Sequence, residues 1–228
     1  MAAARACLLH TLRGGGAGAA GSASSAGSAC RQQGLEGPGL TLACAPGGGL
    51  GVLVCAALLL RDAPALEGLV VAGIDERVSD ERRWTRGTDS GSVEAAAAAV
   101  LGRHGQSEPQ IIGLGLGASS VAGVVGAIGS ACPPGHPGPD LLIIEGGLPD
   151  LNAALEQAGF TDIPRIYLAI RLGPLEGSAG PAALALAVEA LASGARRVLL
   201  LGVGELVGAS TLLVAAATAQ EWTQRSSP

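Results

Sequence analysis

Gly34-Leu35-Glu36-Gly37-Pro38-Gly39-Leu40-Thr41-Leu42-Ala43-Cys44-Ala45-Pro46-Gly47-Gly48-Gly49 decides how the rest of the 228-residue chain is read. A Gly/Pro turn gives way to a short apolar run, Gly39 to Ala43, that has strand character. A corner of small residues follows and opens an apolar helix, Gly47 to Leu60, with apolar residues on nearly every side. Such a helix belongs at the centre of a fold, not on its surface. A strand entering a helix through a tight corner places a residue at the helix N-terminus. Unpaired backbone N–H groups and the helix dipole stabilise negative charge there. Cys44 lies just before this point and is a candidate lowered-pKa nucleophile. Its bland reading is a small buried strand residue.

Outward from this corner, the pattern alternates. Residues 2–13, AAARACLLHTLR, have helical propensity with Leu8, Leu9 and Leu12 on one side. Residues 14–25 are Gly, Ala and Ser, and Ala26 to Gln33 is a short helix ended by Gly34. Strands are expected at Leu69–Ala72, Val93–Leu101, Gln110–Leu116, Leu141–Ile144, Arg165–Ile170, Arg197–Leu201 and Ser210–Ala215. Helices are expected at Ser119–Ile128, Asp150–Ala158 and Pro181–Ala192. Asp75 to Asp89 holds the densest charge and reads as a solvated loop. Cys132 to Pro139, CPPGHPGP, reads as the lobe boundary. The whole is an α/β layered fold with buried sheets and no convincing short-period repeat.

Composition excludes several classes. Aromatics are 2% and the net charge is −5, so neither base stacking nor a basic nucleic-acid surface is available. The 14 basic residues are all arginine, which removes mechanisms that need a lysine amine. Cys7, Cys30, Cys44, Cys55 and Cys132 are scattered, with no CxxC spacing. Free thiols in a reducing cytoplasm fit that pattern better than disulfides or zinc. The Arg-bearing, acid-free start imitates a transit peptide but runs directly into ordered-looking sequence. Val198 to Ala219 approaches membrane-spanning length, yet Glu205 and Gly202, Gly204 and Gly208 break it into two strands and a turn.

Two further sites carry alternatives. Gly113-x-Gly115-x-Gly117 between a strand and a helix has the form of a dinucleotide loop, but 37 glycines make chance matches common. Glu145 ends an apolar strand, where a carboxylate is either a raised-pKa base or an acceptor satisfied by backbone N–H groups.

The opening stretch resembles the β-ketoacyl synthase family of the thiolase-like fold. Gly34-Leu35-Glu36-Gly37-Pro38 is similar to that family's G-L-x-G-P turn. Its T-A-C nucleophile motif falls, without gaps, on Cys44-Ala45-Pro46. Thr88-Asp89-Ser90-Gly91, the run LLIIEGGLPDLN from Leu141 to Asn152, the run GPLEGSAG from Gly173 to Gly180, and the Gly202–Ser210 turn follow in the family's order. The resemblance implies a truncated thiolase-like layered fold: an N-terminal segment 1–21, a partial first lobe 22–131, a second lobe 140–217 and a tail 218–228. It places the nucleophile at Pro46, the two histidines at Glu145 and Pro174, and the lysine at Ala169. None of these residues can form a thioester or stabilise an enolate.

A synthase-like chain emptied of chemistry resembles the chain length factor of type II polyketide synthases, short versions of which serve polyene and aryl-polyene systems. This implies a cytoplasmic heterodimer with an active ketosynthase, meeting acyl carrier protein through the complex. No cofactor, nucleic acid or membrane span is implied. Leu40, Thr41 and Leu42 would form the dimer strand, and Leu8, Leu9 and Leu12 the tunnel floor. Two other readings remain: a Cys44-dependent acyltransferase or hydrolase with Glu145 or a histidine as base, and a small nucleotide-binding protein using Gly113–Gly117.

Overall fold

The computed structural model describes residues 7–13, 40–44, 47–75, 95–103, 108–173 and 175–217. For 7–13 and 40–44 the backbone alone is described. The elements run β1 (Cys7–Arg13), β2 (Leu40–Cys44), α1 (Gly49–Asp62), β3 (Gly68–Asp75), β4 (Ala95–Gly102), β5 (Gln110–Gly117), α2 (Val121–Ala131), β6 (Leu141–Gly146), α3 (Leu151–Gln157), β7 (Arg165–Tyr167), α4 (Leu168–Leu172), α5 (Ala179–Ala192), β8 (Arg197–Gly204) and β9 (Gly208–Ala215).

Two mixed sheets result, ordered β2-β1-β3-β4 and β5-β9-β8-β6-β7. In the first, β1 runs parallel to β2 and β3, and β4 runs antiparallel to β3. In the second, β6 runs parallel to β7 and β8, while β9 runs antiparallel to both β8 and β5. The sheets therefore repeat one plan. The chain β1-β2-α1-β3-β4 corresponds to β6-β7-α5-β8-β9, and α1 and α5 each have 14 residues. Among the described residues, the first sheet has no counterpart to β5.

Side-chain period explains the layers. Leu69 and Val71 of β3, Val198 and Leu200 of β8, and Leu212 and Val214 of β9 point inward onto α1 and α5. The alternate residues of the second sheet, Leu142, Ile144, Leu199, Leu201 and Leu213, face the other way onto α2 and α3. The order is sheet, helix pair, sheet, helix pair. Strand β8 is covered on both faces and is buried from Val198 through Gly204, as its run VLLLGVG requires. Strand β3 alternates half-buried with buried residues. The apolar α1 packs on α5 and on both sheets, with Leu50 and Leu53 fully buried.

Several expectations change. Residues 7–13 are a strand, not part of a helix over 2–13. β1 lies between β2 and β3, with Leu9 registered against Leu40 on one side and Val71 on the other. Long-range pairing overrides a local helical preference. The expected strand Arg165–Ile170 ends at Tyr167 and continues as α4. Asp75 is the last residue of β3 and is buried, so it is no part of a solvated loop. The change of sheet falls between Gly102 and Gln110. The expected helix 26–33, the Gly34–Pro38 turn and the rest of the charged run, 76–89, lie outside the described residues.

Candidate functional site: two helix N-termini under crossed carboxylates

The site forms where α1 and α5 begin. Gly49 and Gly180 bring the two backbones into contact there: a Cβ on Gly49 would overlap the Glu176 carbonyl, and one on Gly180 the Gly49 carbonyl. No side chain caps α1 from its own N-cap, Gly48, and none caps α5 from Ser178. The carboxylates that hold the two helix starts come from the opposite half of the chain.

Glu145, near the end of β6, is 2% exposed. Its Oε1 accepts from the Gly49 N–H at 2.8 Å and its Oε2 from the Leu50 N–H at 2.7 Å. Asp75, at the end of β3, instead holds the turn that leads into α5 and its N-cap residue Ser178. Its carboxylate accepts from the N–H groups of Gly177 at 2.7 Å and of Glu176 and Ser178 at 3.2 Å, and from the Ser178 hydroxyl. A carboxylate at a helix N-terminus meets both orphan donors and the positive end of the dipole. The second half thus caps the first half's central helix, and the first half holds the turn from which the second half's central helix starts.

Glu145 is satisfied by backbone N–H groups, and its pKa is raised to about 7. Burial is the main cause. The Gly49 and Leu50 N–H groups pull it down, and the Asp75 charge pushes it further up.

This geometry bears on chemistry directly. The first two N–H groups of α1 would otherwise stabilise a thiolate or an oxyanion at the corner. Here a tethered carboxylate fills them. A negative charge at Glu145 also opposes any anion developing beside it.

The other expected residues are placed as follows. Pro46 and Pro174 lie outside the described residues. Ala169 is an exposed residue of α4. Cys44 closes β2, registered against Arg13. Leu40, Thr41 and Leu42 lie in β2 at the outer edge of the first sheet, and Leu8, Leu9 and Leu12 in the interior strand β1. Asp75 and Ser178 were missed. The available signal was that Gly68–Asp75 repeats the pattern of Leu141–Glu145: an apolar strand ending in one acid.

The dinucleotide-loop reading of Gly113, Gly115 and Gly117 is corrected. These glycines lie within β5 and let α2 pack against its backbone. A Cβ on each would overlap the carbonyls of Ala131, Ala127 and Gly123 in turn. The Thr211 hydroxyl donates to the Ala127 carbonyl at 2.9 Å, and Ser120 Oγ accepts from the Gly123 N–H at 3.1 Å, capping α2 locally. Among the described residues, no cluster of three His, Cys, Asp or Glu side chains could hold a metal ion. No helix among them is long and apolar enough to cross a membrane.

No protein-family model matches the sequence, and no curated protein matches it either. Solved structures do. The fold is the thiolase-like fold of ketosynthases. The chain superposes on the ketosynthase from module 6 of the bacillaene synthase from Bacillus subtilis 168 with a TM-score of 0.70 at 13% identity, covering 93% of this chain and 52% of that one. Against a ketosynthase (ApeO) in complex with its chain length factor (ApeC) from Xenorhabdus doucetiae, the TM-score is 0.68 at 14% identity, covering 93% and 74%. Against AntDE:AntF, a type II acyl-carrier protein in complex with its ketosynthase, it is 0.71 at 13% identity, covering 95% and 75%. The chain therefore spans about half the length of the bacillaene protein and about three quarters of the other two.

Proposed function

We propose that the chain is a ketosynthase-like subunit without condensing activity of its own, which pairs with an active ketosynthase and shapes its acyl tunnel in type II polyketide biosynthesis. Carrier-bound substrate is loaded on the partner and reaches this chain only through the complex. The observation that carries the reading is the carboxylate of Glu145 on the first two N–H groups of α1. A condensing enzyme needs those donors free for a thiolate-bearing corner and an oxyanion. The alignment supports the same reading, since Pro46, Ala169 and Pro174 stand where the cysteine, lysine and second histidine would be. Fold neighbours that are themselves ketosynthases in complex with a chain length factor or a carrier protein make the pairing a natural role. The upstream leucines, Leu8, Leu9 and Leu12, are the first places to look for a tunnel boundary.

Co-expression with a ketosynthase that carries the Cys and both His, encoded beside this chain, tests the proposal. The expected result is a stable heterodimer by size-exclusion chromatography with light scattering. Acyl extension should depend on the partner's cysteine. A monodisperse chain that forms no complex, or extension that survives loss of the partner's cysteine, overturns it.

A further inference from the structure

The second half of the chain shows what a strand in the position of β4 is built to carry. Register equates β4 with β9. Leu69 opposite Leu101 and Val71 opposite Ala99 in the first sheet correspond to Val198 opposite Val214 and Leu200 opposite Leu212 in the second. Beyond β9, β5 adds antiparallel, with Ile111 opposite Val214 and Leu114 opposite Leu212. Both of those β5 side chains pack on the core around α1 and α5. Gly113 and Gly115 let α2 lie close against the outer face of β5. β4 has matching features. Its sequence, AAAAAVLG, carries no polar side chain on either face, the pattern of a strand buried on both sides. Yet Ala96, Ala98 and Gly102 are exposed and Val100 is 76% exposed. Among the described residues β4 pairs with β3 alone.

The groove beside β4, of about 1060 Å³, selects its occupant by chemistry. Leu60, Leu101, Ile111, Leu184, Val188 and Val214 give it an apolar lining. At its rim, Arg61 pairs with Asp62, and Arg103 donates to the carbonyls of Leu60, Ala63 and Leu66. The edge of β4 adds backbone N–H and C=O groups along one wall. An acyl chain would cover the apolar lining but bury those backbone groups without partners, which is costly. An extended peptide satisfies both. We propose that β4 is a docking edge for a strand of a partner polypeptide with the composition of β5. The strand adds antiparallel to β4, places apolar side chains in the groove opposite Ala99 and Leu101, and keeps small residues opposite Ala98 and Val100. Among the described residues of this chain that composition belongs to β5, which β9 already holds, so a second copy has no such strand to lend.

A peptide copying Gln110–Gly117, flanked by lysines for solubility, is the probe. Added to the whole chain, it should bind saturably, and hydrogen exchange should place it. At about ten times the dissociation constant, alternate amides of Ala95–Gly102 should gain about tenfold protection, because every second N–H of an antiparallel edge points away from β3. Amides of β2 and β9 should not change. A peptide carrying Ile111→Asp and Leu114→Asp should bind on the order of tenfold more weakly or worse, since two charges would enter the groove. Absence of saturable binding, protection gained on β2 or β9 instead, or equal binding by the doubly substituted peptide would each overturn the proposal. So would dimerisation of the chain alone that protects the same β4 amides as concentration rises, which would assign the edge to a second copy. No ketosynthase is present in any of these measurements, so this proposal and the proposed function fail independently.

Discussion

At the residue scale, Glu145 and Gly49 depend on one another. The carboxylate reaches the first turn of α1 because Gly49 has no side chain. A methyl group there would meet the Glu176 carbonyl and crowd Oε1 of Glu145, at 3.1 Å. Gly49→Ala should cost about 2 kcal/mol or more through this overlap, although alanine is the better helix former. Gly126→Ala in α2, where a Cβ meets nothing within 4 Å, should instead gain up to about 1 kcal/mol. Urea denaturation of the two variants separates contact from propensity. Glu145 also gives global stability a pH dependence. Its raised pKa makes the native state the tighter proton binder, so its stabilising contribution falls as pH rises from about 4.5 to about 7. The full shift corresponds to about 3 kcal/mol. The wild-type minus Glu145→Gln difference in urea midpoint between pH 5 and 8 should show that loss. Cys132 gives a third test. Burial pushes its thiol up to about 11, so about 0.1% is thiolate at pH 8. Iodoacetamide should label it slowly in the native chain and quickly in urea.

Elements were legible wherever local pattern and tertiary setting agreed. The buried helix after Gly48, the strand pair β8–β9 and the helix at 179–192 all follow from apolar runs bounded by glycine. β1 was misread because AAARACLLHTLR carries only its own propensity. What makes Cys7–Arg13 a strand is two parallel partners, one about 30 and one about 60 residues away. Tyr167 and Leu168 divide a single apolar run into strand and helix for a similar reason, since β7 is paired only through Tyr167. At the site, Glu145 was visible as an acid closing an apolar strand. Its helix was not, because the partner donors are backbone groups about 95 residues away and leave no mark in side-chain chemistry. The central place of α1 makes its own prediction. Leu53→Ala should cost about 2–5 kcal/mol by opening a cavity between the sheets. Leu59→Ala, 40% exposed on the same helix, should cost under about 1 kcal/mol.

At the scale of the molecule, the repeated plan shows where the chain is open. The second sheet is closed on its β9 side by β5, and α2 covers β5 in turn. The first has no such unit among the described residues, so β4 presents Val100 at 76% exposure. A groove of about 1060 Å³, lined by Leu60, Leu101, Ile111, Leu184 and Val188, follows that side. At the opposite side, β2 pairs with β1 alone among the described residues, none of which covers its outer edge. An apolar edge of this kind pairs with something or aggregates. Under the proposed function it pairs with the ketosynthase, and backbone geometry supplies a test that needs no side-chain detail. In a parallel ladder, successive residues direct their N–H groups alternately to the two neighbours. Of Thr41 and Leu42, one therefore donates toward β1 and the other away from it. Proline removes that donor. One of Thr41→Pro and Leu42→Pro should lower the melting temperature of the isolated chain. The other should leave it within a few degrees of wild type and still abolish co-purification with the ketosynthase. Retained pairing in the variant that keeps its stability would move the interface away from β2, and the open β4 side would become the next surface to test.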